Sequence, residues 1–153
     1  VADGPRLGID WGKARIGVSA AGAGTSFAYP VETVQAGAEE QARLVALVAE
    51  YEPTVVYVGL PLTLAGERGI AAGFITDKAV QFAAAIAPVE VRLVDERMST
   101  ASASRNLGRA GRSAKKQRGV IDQAAAVEIL QTALDAEERH GGPVGQRVIE
   151  EER

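Results

Sequence analysis

The sequence predicts an α/β fold in which one mixed sheet carries helices on both faces, and three observations predict it. Residues 7–19 alternate with period two on either side of a glycine-containing turn, the pattern of an antiparallel hairpin. Residues 54–60 form a near-continuous apolar run (Thr-Val-Val-Tyr-Val-Gly-Leu), as in a parallel strand covered on both faces. Stretches of helical periodicity then alternate with the later strands, which calls for right-handed crossovers and a two-sided sheet.

The hairpin comes first. Leu7, Ile9 and Trp11 form one apolar row, and Ile16, Val18 and Ala20 supply its counterpart. The other face carries Gly8, Asp10 and Gly12, then Arg15, Gly17 and Ser19. One carboxylate thus stands on a face otherwise stripped of bulk, and glycines inside a strand mark close approach to the backbone. A third strand, 26–34, contains Pro30 and therefore belongs at an edge, completing an antiparallel meander.

From Ala38 to Glu52 the pattern is helical, with Ala42, Val45, Leu47, Val48 and Ala49 as the apolar stripe and Glu39, Glu40 and Glu50 outside it. Pro53 closes that helix. The chain leaves the apolar strand through the loop 60–67, enters a helix from Ile70 to Ile86 and stops at Pro88. Residues 89–94 form a short strand ending in Asp95-Glu96-Arg97. Ser99 or Thr100 can cap a short helix to Leu107. The basic segment 108–119, spaced by Gly111 and Ser113, reads as flexible. A final helix is expected from Val120 to Arg139, ended by Gly141-Gly142-Pro143. This divides the chain into one domain, 1–139, and a flexible tail, 140–153.

At 153 residues, 46% hydrophobic and 24% charged, the composition fits one globular domain with a proper core. No apolar run reaches the length of a membrane span, and the N-terminus shows no signal-peptide pattern. With Val1 rather than methionine at its head, the native start is expected upstream. Cysteine is absent, which excludes disulfides and thiolate zinc sites within the chain and makes a reducing cytoplasm the default location. The net charge of −3 hides an uneven distribution. Between Ala101 and Ile121 lie six basic residues (Arg105, Arg109, Arg112, Lys115, Lys116 and Arg118) and no acids, against 11 basic and 20 acidic residues elsewhere. Such a local cluster can steer a polyanion whatever the net charge.

Two further acids belong near Asp10. Glu96 lies just beyond the last strand, where α/β sites form. Asp122 lies in the first turn of the expected last helix, at the head of the stripe Ala125, Ala126, Ile129, Leu130 and Ala133 that packs on the sheet. Taken singly, each acid has an ordinary reading: a solvated strand aspartate, a local ion pair with Arg97, a residue favoured by the helix dipole. Together, three acids on separate elements meeting at one sheet edge would repel one another and raise their pKa values. A hard divalent cation resolves that conflict; Mg²⁺ typically takes a few carboxylates, waters and substrate phosphate.

These residues resemble the YqgF/RuvX group of RNase H-like nucleases, also described as Holliday-junction resolvase-like or pre-16S rRNA nucleases. The similarity rests on Gly8-Ile9-Asp10-Trp11-Gly12 with Arg15-Ile16-Gly17-Val18, Gly59-Leu60-Pro61-Leu62 with Gly66, the run 95–100, and Ile121-Asp122-Gln123-Ala124-Ala125 with Ile129-Leu130-Gln131. Many members carry Lys-Arg before Ile-Gly-Val, whereas here Ala14 precedes Arg15 and the lysine sits at Lys13.

The resemblance implies an RNase H-like fold: a five-stranded mixed sheet, a three-strand antiparallel meander plus two parallel strands, with helices on both faces. It implies that Asp10, Glu96 and Asp122 are both the metal-binding and the catalytic acids, using Mg²⁺ or Mn²⁺. It implies a nucleic-acid substrate, either precursor 16S rRNA or a four-way DNA junction. Lys13, Arg15, Arg109, Lys115 and Lys116 are then the expected phosphate contacts. A symmetric junction with two scissile strands would favour a homodimer. Two rival readings are a non-catalytic nucleic-acid or ribosome-associated module and an actin-like nucleotide-binding domain. The latter needs two such domains to enclose ATP.

Overall fold

The computed structural model describes residues 4–62, 65–96 and 114–148, with the side chains of the last helix described from Gln123 onward. The elements are β1 (Arg6–Trp11), β2 (Arg15–Ala21), β3 (Tyr29–Gln35), α1 (Glu40–Tyr51), β4 (Val55–Leu60), α2 (Ile70–Ile86), β5 (Glu90–Asp95), α3 (Ala114–His140) and β6 (Gln146–Val148). The sheet order is β3-β2-β1-β4-β5-β6. β1, β2 and β3 pair antiparallel, β1, β4 and β5 pair parallel, and β6 returns antiparallel to β5.

Period-two alternation divides the side chains as the pleat requires. Leu7, Ile9, Trp11, Ile16, Val18, Val56, Val58, Val91 and Leu93 join α1 and α2 in the larger core. Tyr57, Val55, Ala21 and Val94 face Leu130, Ala133 and Leu134 of α3 in the smaller one. α3 lies so close because the sheet yields to it at two glycines. A Cβ on Gly8 would come within 2.6 Å of Leu130 Cβ and 3.1 Å of the Ala126 carbonyl oxygen. A Cβ on Gly59 would come within 2.5 Å of Ile129 Cδ1. Ser19, buried beside Gly8, donates its hydroxyl to the Ala126 carbonyl at 2.8 Å.

At the far end of α3, Arg6 Nη1 meets Glu137 Oε1 at 2.6 Å, and the Tyr57 hydroxyl donates to Glu137 Oε2. Burial first, and then the Glu137 carboxylate, push the Tyr57 phenol well above its usual range, so it stays a donor. Tyr57 oxygen accepts the Val144 amide at 3.2 Å, carrying the network to the chain entering β6.

Four expectations are corrected. The sheet has six strands instead of five, because residues 146–148, assigned to a flexible tail, pair with β5 through Val91↔Val148. The last helix begins at Ala114 and not Val120, so Asp122 stands more than two turns inside it and outside its first turn. The helix runs through Gly119, whose cost of about 1 kcal/mol does not interrupt a 27-residue helix. It therefore includes Lys115, Lys116 and Arg118 from the segment read as flexible. Glu40, placed outside, is buried, for reasons given below. The third strand is shifted to Tyr29–Gln35 and holds the predicted edge position. The short helix expected after Ser99 lies outside the described residues, as does Arg109. No described helix is long and apolar enough to cross a membrane.

Candidate active site

Asp10 is the last residue of β1 on the α3 face, and the strand pairing surrounds it with missing side chains. Gly17 is its antiparallel partner on β2. On the other side the parallel register runs through Ile9↔Val58, so the next step sets Asp10 beside Gly59 of β4. Gly59 is in turn registered with Val94 of β5, two residues before Glu96 on the same face. Glu96 reaches back over this gap: its Oε2 lies 3.6 Å from where a Gly59 Cβ would stand. Asp10 and Glu96 are each only 4% exposed. Two buried acids thus flank one glycine at the carboxyl ends of the parallel strands, where open α/β sheets bind ligands.

The backbone of α3 brings its own acidic position toward this edge. Glu137 sits beside Arg6, and Ala126 and Leu130 lie over Gly8, so the helix runs antiparallel to β1. Continuing one turn past Ala126 carries position 122 toward the Asp10 end of the strand. The predicted stripe holds: Ala125, Ala126, Ile129, Leu130 and Ala133 are all buried. Gln123 Nε2 donates to Thr33 Oγ1 at 2.9 Å, pinning this part of the helix to β3. Two turns later Gln131 accepts the Ala28 amide at 3.0 Å and donates to the Ser26 carbonyl at 2.7 Å. The Asp122 side chain lies outside the description. Among the described residues no three His, Cys, Asp or Glu side chains gather as a metal-holding group.

Carboxylate oxygens with no thiolate or imidazole among them, spaced around a glycine floor, are the donor set of a hard cation. Asp10 and Glu96 fit such an ion, and the absent Cβ at Gly59 lets Ile129 Cδ1 and the Glu96 carboxylate approach the strand backbone beside Asp10.

Of the expected phosphate contacts, Lys13 is exposed on the hairpin tip and Arg15, half-buried, opens β2. The turn between them is closed by the Gly12 amide on the Arg15 carbonyl at 3.0 Å. Lys115 and Lys116 lie on the first turn of α3. Sequence reading missed the supports of the site. Trp11 donates its indole N–H to Glu40 Oε2 at 3.3 Å. Glu40 also accepts the Gly37 amide at 3.0 Å and pairs with Lys78 at 3.2 Å. α1 and α2 therefore converge behind the strand that carries Asp10.

The sequence and the fold are similar to those of known proteins. A family model described as "RuvX: Holliday junction resolvase" matches residues 4–136. A protein of Cutibacterium acnes named "Putative pre-16S rRNA nuclease" is 54% identical over 132 residues, covering 86% of this chain and 82% of its own. A Streptomyces coelicolor protein of the same name is 50% identical, covering 96% and 93%. Among solved structures, Thermus thermophilus RuvC in complex with a Holliday junction substrate superposes with a TM-score of 0.57 at 20% identity, over 92% of this chain and 99% of that one. The fold is RNase H-like, and the chain belongs to the RuvX family of nucleases.

Proposed function

We propose that this nuclease is a divalent-cation-dependent endonuclease of structured nucleic acid, with Asp10, Glu96 and Asp122 as its metal-holding and catalytic acids. The observation that carries the reading is the pair of buried carboxylates, Asp10 and Glu96, on either side of Gly59 at the strand ends. Asp10 on the central strand, Glu96 just past the end of β5 and Asp122 on α3 would hold the ion. Mg²⁺ is the preferred ion, with Mn²⁺ as substitute; when bound, it would supply water activation and charge stabilisation at the leaving oxygen. The chain's own part is to hold three anions at fixed positions and to anchor phosphates through Lys13, Arg15, Arg109, Lys115 and Lys116.

Precursor 16S rRNA is the first substrate to test, because relatives about half identical to this chain carry that activity in their names. Such a substrate places the enzyme in the cytoplasm. A four-way DNA junction is the second reading, favoured by the family description and by the RuvC–junction complex. That substrate, with two scissile strands, would be served by a homodimer.

The deciding experiment offers purified protein a precursor 16S fragment and a cruciform DNA side by side, with Mg²⁺ and with EDTA. Metal-dependent cutting of one at defined positions is expected, and Asp10→Asn should abolish it while sparing binding. Binding without hydrolysis in every arm would instead make the chain a non-catalytic module.

A further inference from the structure

The sheet edge that carries the acids also carries an exposed apolar strip on the opposite face. Ile70 and Phe74 stand four residues apart on α2 and so share one line along the helix. Ile70 is 88% exposed, and the Phe74 ring is half-open beside it. Two cations border that ring: Lys13 Nζ from the hairpin tip lies 5.7 Å from its centroid, and Lys78 Nζ lies 5.8 Å away. Lys78 shares its charge with Glu40, whereas Lys13 projects from an exposed turn. Asp77 is the acid on this part of α2; at 100° per residue it falls on the flank of the strip away from Lys78. The strip begins where the chain has left the carboxyl end of β4, and Lys13 follows Asp10 by three residues. The hairpin tip therefore joins the acidic face to the apolar one.

An apolar strip edged by lysines matches a polyanion that also presents flat apolar faces. Unpaired nucleotides have both properties, while a duplex keeps its base faces stacked inside and offers only phosphates. We propose that Ile70 and Phe74 stack an unpaired base flanking the scissile phosphate, with Lys13 and Lys78 on the adjoining phosphates. The proposal rests on the nuclease reading and narrows its substrate to duplex ends or junctions with a single-stranded flank.

The test is fluorescence anisotropy in EDTA, comparing a labelled RNA hairpin bearing a single-stranded overhang with the same hairpin made blunt. Wild type should favour the overhang. Ile70→Ser, at a surface position, and Phe74→Leu, which keeps bulk against the core, should each weaken overhang binding about fivefold or more and leave blunt binding unchanged. Lys13→Gln should lower the slope of log affinity against log salt by about one. Equal affinity of wild type for both hairpins, or variants indistinguishable from wild type on the overhang, would overturn the proposal. So would binding of an acidic peptide in place of either RNA. Overhang binding that is lost in the variants, from a protein that cuts nothing in Mg²⁺, would support the strip while rejecting the nuclease reading.

Discussion

The Trp11 indole donates to Glu40 at 3.3 Å, and that bond ties the start of α1 to the residue following Asp10. Burial opposes the Glu40 charge, but the Gly37 amide, Lys78 and the Trp11 indole outweigh it and hold the carboxyl below its ordinary 4.5. A carboxyl with a depressed folded-state pKa stabilises the fold above its unfolded value and loses that contribution as pH falls through the folded one. Glu40→Gln should therefore melt below wild type at neutral pH, with the gap closing between about pH 5 and pH 3. Thermal melts across that range check it; a gap independent of pH would show that the charge is not what matters.

The Arg6–Glu137–Tyr57 network makes a second prediction. Removing one partner of a buried ion pair leaves the other charge uncompensated, so Glu137→Ala should cost about 3–5 kcal/mol in denaturant unfolding. Replacing both charges, as Arg6→Met with Glu137→Leu, should recover much of that loss. A double variant as unstable as the single one would contradict this account.

Gly59 separates packing from chemistry. In Gly59→Ala the new methyl would press on Ile129 Cδ1 and border the Glu96 carboxylate. Stability should fall by about 1–3 kcal/mol. Adding Ile129→Val removes the clashing methyl and should restore stability. Cleavage should recover less than stability does, since the methyl still stands beside Glu96. Full recovery of both would mean that the missing Cβ next to Glu96 matters only for packing.

Gly8→Ala should be worse for the fold. Its methyl meets Leu130 Cβ and the Ala126 carbonyl, neither of which can rotate away, so α3 must lift from the sheet. Unfolding free energies should rank Gly8→Ala below Gly59→Ala, and the reverse order would mean that α3 yields more easily than its Cβ.

Where local pattern and tertiary contact agreed, the chain was legible. Asp10 stood out because strict alternation put it among glycines, and the apolar run 54–60 marked β4 as central. Glu96 followed from the end of a short strand. Glu40 was misread because it opens α1, where exposure depends on what lies ahead of the helix. Here that is the hairpin bearing Trp11. Glu137 could have been found: it extends the buried series 126, 130, 133 by one more helical step, a position too costly for an unpaired acid. β6 gave no signal, since three residues are too few for a period. The start of α3 was hidden in the basic segment 108–119, which, spaced by Gly111 and Ser113, reads as flexible although the helix begins at Ala114.

α3 is held at Glu137, at Gln131 and again at Gln123, one residue past position 122. Fifteen residues, about 22 Å of helix, separate positions 137 and 122. If the acids act as proposed, a displacement of about 1 Å at the Gln123 end would slow catalysis about a hundredfold. Loss of the Thr33 hydroxyl, on an edge strand, would then weaken the enzyme while the protein still melts as a folded domain.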